Sequence, residues 1–274
     1  PSVMRLARKR RLSGIFICQR GRARTCWVGL AMVEQGMCWG IEVTATMVAA
    51  GTAGALVAWW RKEAAAIPLT LAYFALMEAL QLGGYLVIDQ CGTPSNRAIT
   101  LLSVLHIAFQ PILINAFALA IVRPDMGAFG RRIVLGLATL SSLVMVVQLL
   151  PLPALGTCSP GTPLCGAALC TVSGNWHLAW EVPYNGLMVA VDRAMGSNFG
   201  FPPYMLTVFL LPVFYGAWRF ALFHLLIGPV LAFSLTRNPN EAPAVWCLFS
   251  ILILGIALVP PVRRLFAGQR MAPA

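Results

Sequence analysis

Apolar residues run along this chain in long blocks, with few polar interruptions. A helix needs about 20 mostly apolar residues to cross the hydrocarbon of a bilayer. Blocks of that order lie at 39–60, 67–88, 98–122 and 133–152. A longer block, 203–235, is interrupted at Gly216-Ala217-Trp218-Arg219 and reads as two short helices joined by a tight turn. A last block, 243–259, is closed by Pro260-Pro261. That makes seven helices. The stretch 175–191 is apolar too, but it carries His177, Glu181, Pro183 and Asn185, so a re-entrant or interfacial helix is expected there. Sustained period-two alternation is absent, which argues against a β-barrel. The expected fold is all-α: a polytopic bundle of seven transmembrane helices.

Composition narrows the class further. The chain has 274 residues, 59% hydrophobic and 11% charged, whereas a soluble domain carries roughly 25% charge. A soluble enzyme, a nucleic-acid binder and a disordered protein all fit poorly. The formal net charge of +11 is unevenly spread, since eight of the twenty basic residues fall within 1–36. That basic tail is expected to be disordered, or to precede the true start, with Met37 opening the membrane domain over 37–265 and a short tail at 266–274. From Met37 onward twelve basic and eight acidic residues leave +4.

The remaining charge orients the chain, because Lys and Arg concentrate in cytoplasmic loops. With seven helices, one face carries Arg61, Lys62, Arg123, Arg131, Arg132, Arg219, Arg263, Arg264 and Arg270. The other carries Arg97, Arg193 and Arg237. The expectation is a bacterial inner (cytoplasmic) membrane protein with Met37 outside and the C-terminus inside. Cys38, Cys91, Cys158, Cys165 and Cys170 then fall on the outer face, with Cys247 about a turn into the last helix. An oxidising outer compartment lets such residues pair. Six cysteines allow 15 connectivities, so no pairing follows, but a disulfide brace on the Pro- and Gly-rich loop 153–174 is expected. A zinc knuckle from Cys158, Cys165 and Cys170 is the weaker alternative.

Polar residues inside the spans carry the candidate chemistry, since ionisable groups in hydrocarbon are costly and face the bundle interior. Glu78, Gln81, Tyr85 and Asp89 are spaced 3, 4 and 4 and form one helical stripe. Ser103, His106 and Gln110 form another. At 1.5 Å per residue, Glu78 lies about 15 Å, His106 about 12 Å, and Gln110 and His224 about 18 Å from the outer surface. His177 and Glu181, at i and i+4, would share a helical face over this depth, and Glu42 lies near the outer end of the first helix. Glu78, His106, His177, Glu181 and His224 are therefore the candidate catalytic groups and metal ligands. Glu42, Gln81, Tyr85 and Gln110 would complete an outward-facing pocket. Imidazole and carboxylate suit zinc, iron or manganese, could activate water on such a metal, or could do acid–base work without one. The same groups could bind a small solute or relay protons. The plainer alternative is interhelical hydrogen bonding, worth about 0.6 kcal/mol per contact. Trp59, Trp60, Trp176, Trp180, Trp218 and Trp246 lie near span ends as expected of interfacial anchors.

Several classes are excluded. Lys9 and Lys62 are the only lysines, so the last helix offers none for a retinal Schiff base. No glycine-rich phosphate loop and no half-chain repeat are visible. Seven-helix zinc hydrolases of the alkaline ceramidase kind end on two histidines in the last helix, where this chain has none.

A closer likeness is carried by Met37-Cys38-Trp39 with Glu42, by Tyr73-Phe74-Ala75-Leu76-Met77-Glu78, and by His106-Ile107-Ala108-Phe109-Gln110-Pro111. It is also carried by Trp176-His177-Leu178-Ala179-Trp180, and by Asn238-Pro239-Asn240-Glu241 through Trp246-Cys247. In these stretches the chain resembles a bacterial family of uncharacterised multi-spanning membrane proteins, over roughly 37–265. The resemblance implies Met37 as the start and brings no activity. Three readings stand at this point. One is a membrane-embedded enzyme, with or without a metal, acting on a lipid or small apolar substrate. The others are a binding, sensing or transport protein for a small solute, and a structural or assembly subunit of a membrane complex. Lipid is the expected partner and nucleic acid is not.

Overall fold

The structure is a computed structural model that describes residues 40–267 and the backbone of two short antiparallel strands before them, β1 (Cys26–Val28) and β2 (Ala31–Val33). The rest of the basic tail, Cys38, Trp39 and residues 268–274 lie outside the described residues.

Four long helices come first: α1 (Ile41–Trp60), α2 (Ala66–Leu86), α3 (Pro94–Val122) and α4 (Ala128–Gln148). Each packs against the next. The inward face of α1 is made of small residues, Thr44, Gly51, Gly54, Ala55 and Ala58, which lets backbones approach closely, as helices do in lipid. Its large residues Leu56, Trp59 and Trp60 are exposed instead. The same inversion recurs at Leu69, Leu76, Leu140 and Leu222, so the outer surface is apolar. Pro111 does not stop α3, where the buried Asn115 donates to the carbonyls of Pro111 and of Thr207 across the bundle.

Three further apolar helices follow the loop region 149–201: α6 (Pro202–Phe214), α7 (Trp218–Leu235) and α8 (Ala242–Leu258). The expected split near 216–219 is real, and Gly216, at φ 88°, makes the turn. Among the described residues five helices, α1 to α4 and α7, are long and apolar enough to cross a membrane, or six if α8 is counted with α9 (Pro260–Phe266), which leaves it at 99°. The α6 helix rises only about 20 Å. Seven full-length spans are thus not what the helices give. Both α6 and α7 contain a π-helical turn, Leu206–Leu210 and Leu226–Val230, and π-bulges of this kind gather at functional sites. Gly228 sits in the second, where a Cβ would stand 2.3 Å from the indole nitrogen of Trp246.

The fold is not purely helical. The expected interfacial helix over 175–191 is instead part of a β-hairpin, β3 (Cys170–Ser173) and β4 (Leu178–Glu181), followed by the short α5 (Val189–Ala194). The hairpin lies on the ends of α2 and α3. Asn96 accepts from the Thr171 backbone and donates to the carbonyls of Val87 and Thr171. Trp180 is fully buried beneath the hairpin, so it is a core residue and not an interfacial anchor. Two disulfides brace this end, Cys91–Cys170 and Cys158–Cys165, which rules out the zinc knuckle. In the same loop Tyr184 bonds Thr162 and the Pro163 carbonyl, and burial pushes its hydroxyl up to about 12, so it stays a donor.

The opposite end is tied by arginines. Arg61 donates to the Leu258 carbonyl, Arg123 to Tyr215, Arg219 to Leu265, and Arg263 pairs with Glu63. Four residues of the basic face thus hold helix-end groups together at one end of the bundle.

Candidate functional site

The stripe of α2 and the hairpin build the first half of the site. The four-residue link 174–177 turns back on itself, with the Gly174 N–H donating to the His177 carbonyl. That turn drops the His177 ring onto α2, where Nδ1 bonds the Tyr85 hydroxyl and Nε2 bonds the Gln81 Oε1. Gln81 donates in turn to the Ala244 carbonyl of α8 at 3.4 Å. The turn is held from the other side by Glu241, whose Oε1 accepts from the backbone N–H groups of Trp176 (2.5 Å) and His177 (2.7 Å), while Oε2 accepts from the Thr236 hydroxyl (2.5 Å). Gly174 is required here, because a Cβ would fall 2.6 Å from the Glu241 carboxyl carbon. Glu78 lies one turn along α2 from Gln81, 1% exposed, and neither of its oxygens has a hydrogen-bond partner among the described residues. It interacts electrostatically with Tyr85 above it and with Cys247 on α8.

The second half is a cavity of about 380 Å³ between α3, α4, α6, α7 and α8, roofed by Pro163, Leu164 and Phe201 of the region between α4 and α6. Leu225, Val230 and Phe233 of α7 line one side, and Met145 another. Val230 and Phe233 are half exposed on the outer surface of the bundle, so this wall is also the boundary with the surroundings. The polar edge is short. Tyr204 donates to Gln110 Oε1 at 2.7 Å, and Gln110 donates to the Cys247 sulfur at 3.5 Å. Cys247 is free and buried.

The residues expected to converge are dispersed. His177, Gln81, Tyr85 and Glu78 come together. His106 does not join them: it stacks on Tyr73 at 3.8 Å, and each of the two bonds the other's backbone carbonyl at 2.7 Å. His224 is enclosed by Phe209, Phe220 and Trp246. Glu181 lies at the end of β4, on extended backbone, so it shares no helical face with His177. Glu42 is exposed on the first turn of α1. Among the described residues no three of His, Cys, Asp and Glu stand so as to hold a metal ion. A zinc or iron centre built from His106, His177, His224, Glu78 and Glu181 therefore has no common point in this arrangement.

Some of what matters was hidden from the sequence. Asn96, Asn115 and Tyr204 are single polar residues on helices, with no pattern to mark them. Glu241 was visible only as part of a polar turn. The hairpin left a faint signal in Ser173-Gly174-Asn175, a turn cluster after the β-favouring Thr171-Val172.

A family model described as a family of unknown function, DUF5765, matches residues 42–267. The chain belongs to that family. Neither the curated proteins nor the solved structures contain a match.

Proposed function

We propose that this member of the DUF5765 family is a seven-span protein of the bacterial cytoplasmic membrane that binds an apolar, lipid-like ligand between its last spans. The cavity of about 380 Å³ carries this reading. A dry apolar cavity of about 150 Å³ already accepts benzene, and ligand sites begin near 300 Å³. A chain or ring system of some two to three benzenes' bulk fits, with one polar end set against Gln110, Tyr204 and Cys247. The half-exposed Val230 and Phe233 give such a ligand a way in from the hydrocarbon. An enzyme acting on a lipid is the second reading, favoured by the free thiol of Cys247 at the cavity wall beside Glu78.

Ala242 lines the cavity, and Ala242→Phe would occupy it. Extraction and mass spectrometry of the detergent-purified protein should find a retained apolar species near one per chain, reduced at least tenfold in this variant. A tenfold loss corresponds to about 1.4 kcal/mol. Equal retention in a variant that unfolds at the wild-type temperature would sink the cavity as the binding site.

Counting α6 and α8 as short spans puts the arginine-tied end inside, following the positive-inside rule, and the disulfide end outside. A cysteine introduced by Ser197→Cys should then react with an impermeant maleimide in intact cells. One introduced by Arg132→Cys should react only in opened membranes. The reverse pattern would invert the chain.

A further inference from the structure

Glu78 is the one carboxylate of α2 buried within the bundle, and both of its oxygens lack a donor among the described residues. A bare carboxylate in the apolar interior is costly, so it has to be met by a proton or a cation. The ion pairs among the described residues are Arg123–Asp125 and Arg263–Glu63, both elsewhere. The titratable groups that interact with Glu78 are Tyr85 on its own helix and Cys247 on α8, and beyond them His177 and Glu241 act on Tyr85. From α1 the buried Thr44 brings only a hydroxyl, and on α3 the His106 ring is turned to Tyr73. No lysine or arginine is among them.

We propose that Glu78 is a proton-binding site closed on its outer side by His177. The hydrogen bonds above it run one way. The Gln81 oxygen can only accept, so His177 Nε2 carries a hydrogen. In the neutral imidazole His177 Nδ1 then accepts, and the Tyr85 hydroxyl donates to it. The Gln81 amide spends its own donor on Ala244. None of these donors reaches Glu78. An amide, unlike an imidazole, does not take up and pass on a proton, so transfer inward stops at Gln81. The proton on Glu78 exchanges with the outer aqueous phase only when the turn carrying His177 lifts off α2. Glu241 and the Cys91–Cys170 disulfide hold that turn down. This inference does not depend on the apolar cavity or its occupant.

Infrared spectroscopy of the purified full chain tests it. At neutral pH the wild type should show the carbonyl stretch of a protonated carboxylic acid that Glu78→Gln removes. In heavy water that band should shift slowly, and at least tenfold faster in His177→Ala. Gln81→Leu cuts the same contact while leaving His177 in place, and it serves if His177→Ala fails to fold. A spectrum with no band difference between wild type and Glu78→Gln overturns the proton site. Equal exchange rates in the wild type and the folded variants overturn its closure by His177.

Discussion

Replacing Glu241 by alanine should detach the turn that carries His177 and cost at least about 3 kcal/mol. Three donors lose their acceptor at once: the N–H groups of Trp176 and His177 and the Thr236 hydroxyl. Each buried donor left without a partner costs about 1–3 kcal/mol. Water could reach some of them once the turn has lifted, which sets the lower end of the range. Glu241→Gln is the informative partner. It keeps an amide oxygen for the two backbone donors, and its loss should stay near 1 kcal/mol. Thermal unfolding of both variants in detergent checks this. If alanine and glutamine are equally destabilising, the hydrogen bonds are not what Glu241 contributes.

The second large effect concerns Cys91–Cys170. Chain-entropy arithmetic gives about 4.5 kcal/mol for closing a loop of 79 residues and about 2.4 for the 7-residue loop of Cys158–Cys165. On the proposed membrane reading a bilayer restrains α3 and α4 in the unlinked chain, so about 2–4 kcal/mol is expected for the longer link. Serine replacing both partners avoids a leftover thiol. The Cys91→Ser/Cys170→Ser double variant should unfold at a lower temperature than Cys158→Ser/Cys165→Ser. The opposite order would mean that the loop 153–174, and not its attachment to α2, is the part that needs bracing.

The helices of this fold were legible because their signal is redundant. Some twenty apolar residues in a row leave few alternatives, and the breaks fall where the apolar run is interrupted, at Gly216-Ala217-Trp218-Arg219 and at Pro260-Pro261. The stripe Glu78-Gln81-Tyr85 was legible for a related reason, since helical spacing fixes which residues share a face. Depth along a helix said less. It placed His106 and His224 at suitable heights but not on suitable sides, and both rings turn toward aromatic neighbours instead. The hairpin was misread because Leu178-Ala179-Trp180 is buried on every residue, which erases the alternation that marks a half-exposed strand. Its pairing with β3 and its seat on Asn96 are long-range facts that no local window contains.

The two cysteines that join the α2–α3 turn to β3 also bear on how the chain is made. Cys91 precedes α3 and Cys170 follows α4, so the bond encloses both helices. It can close only after the ribosome has delivered α4 and, on the proposed membrane reading, after the pair has been inserted as a helical hairpin that returns Cys170 to the side of Cys91. A nascent chain with α3 and α4 still unthreaded keeps the two thiols apart. On that proposed reading, oxidation at this site is a chemical timestamp for membrane integration, readable in pulse-labelled cells as the moment the band on a non-reducing gel changes mobility.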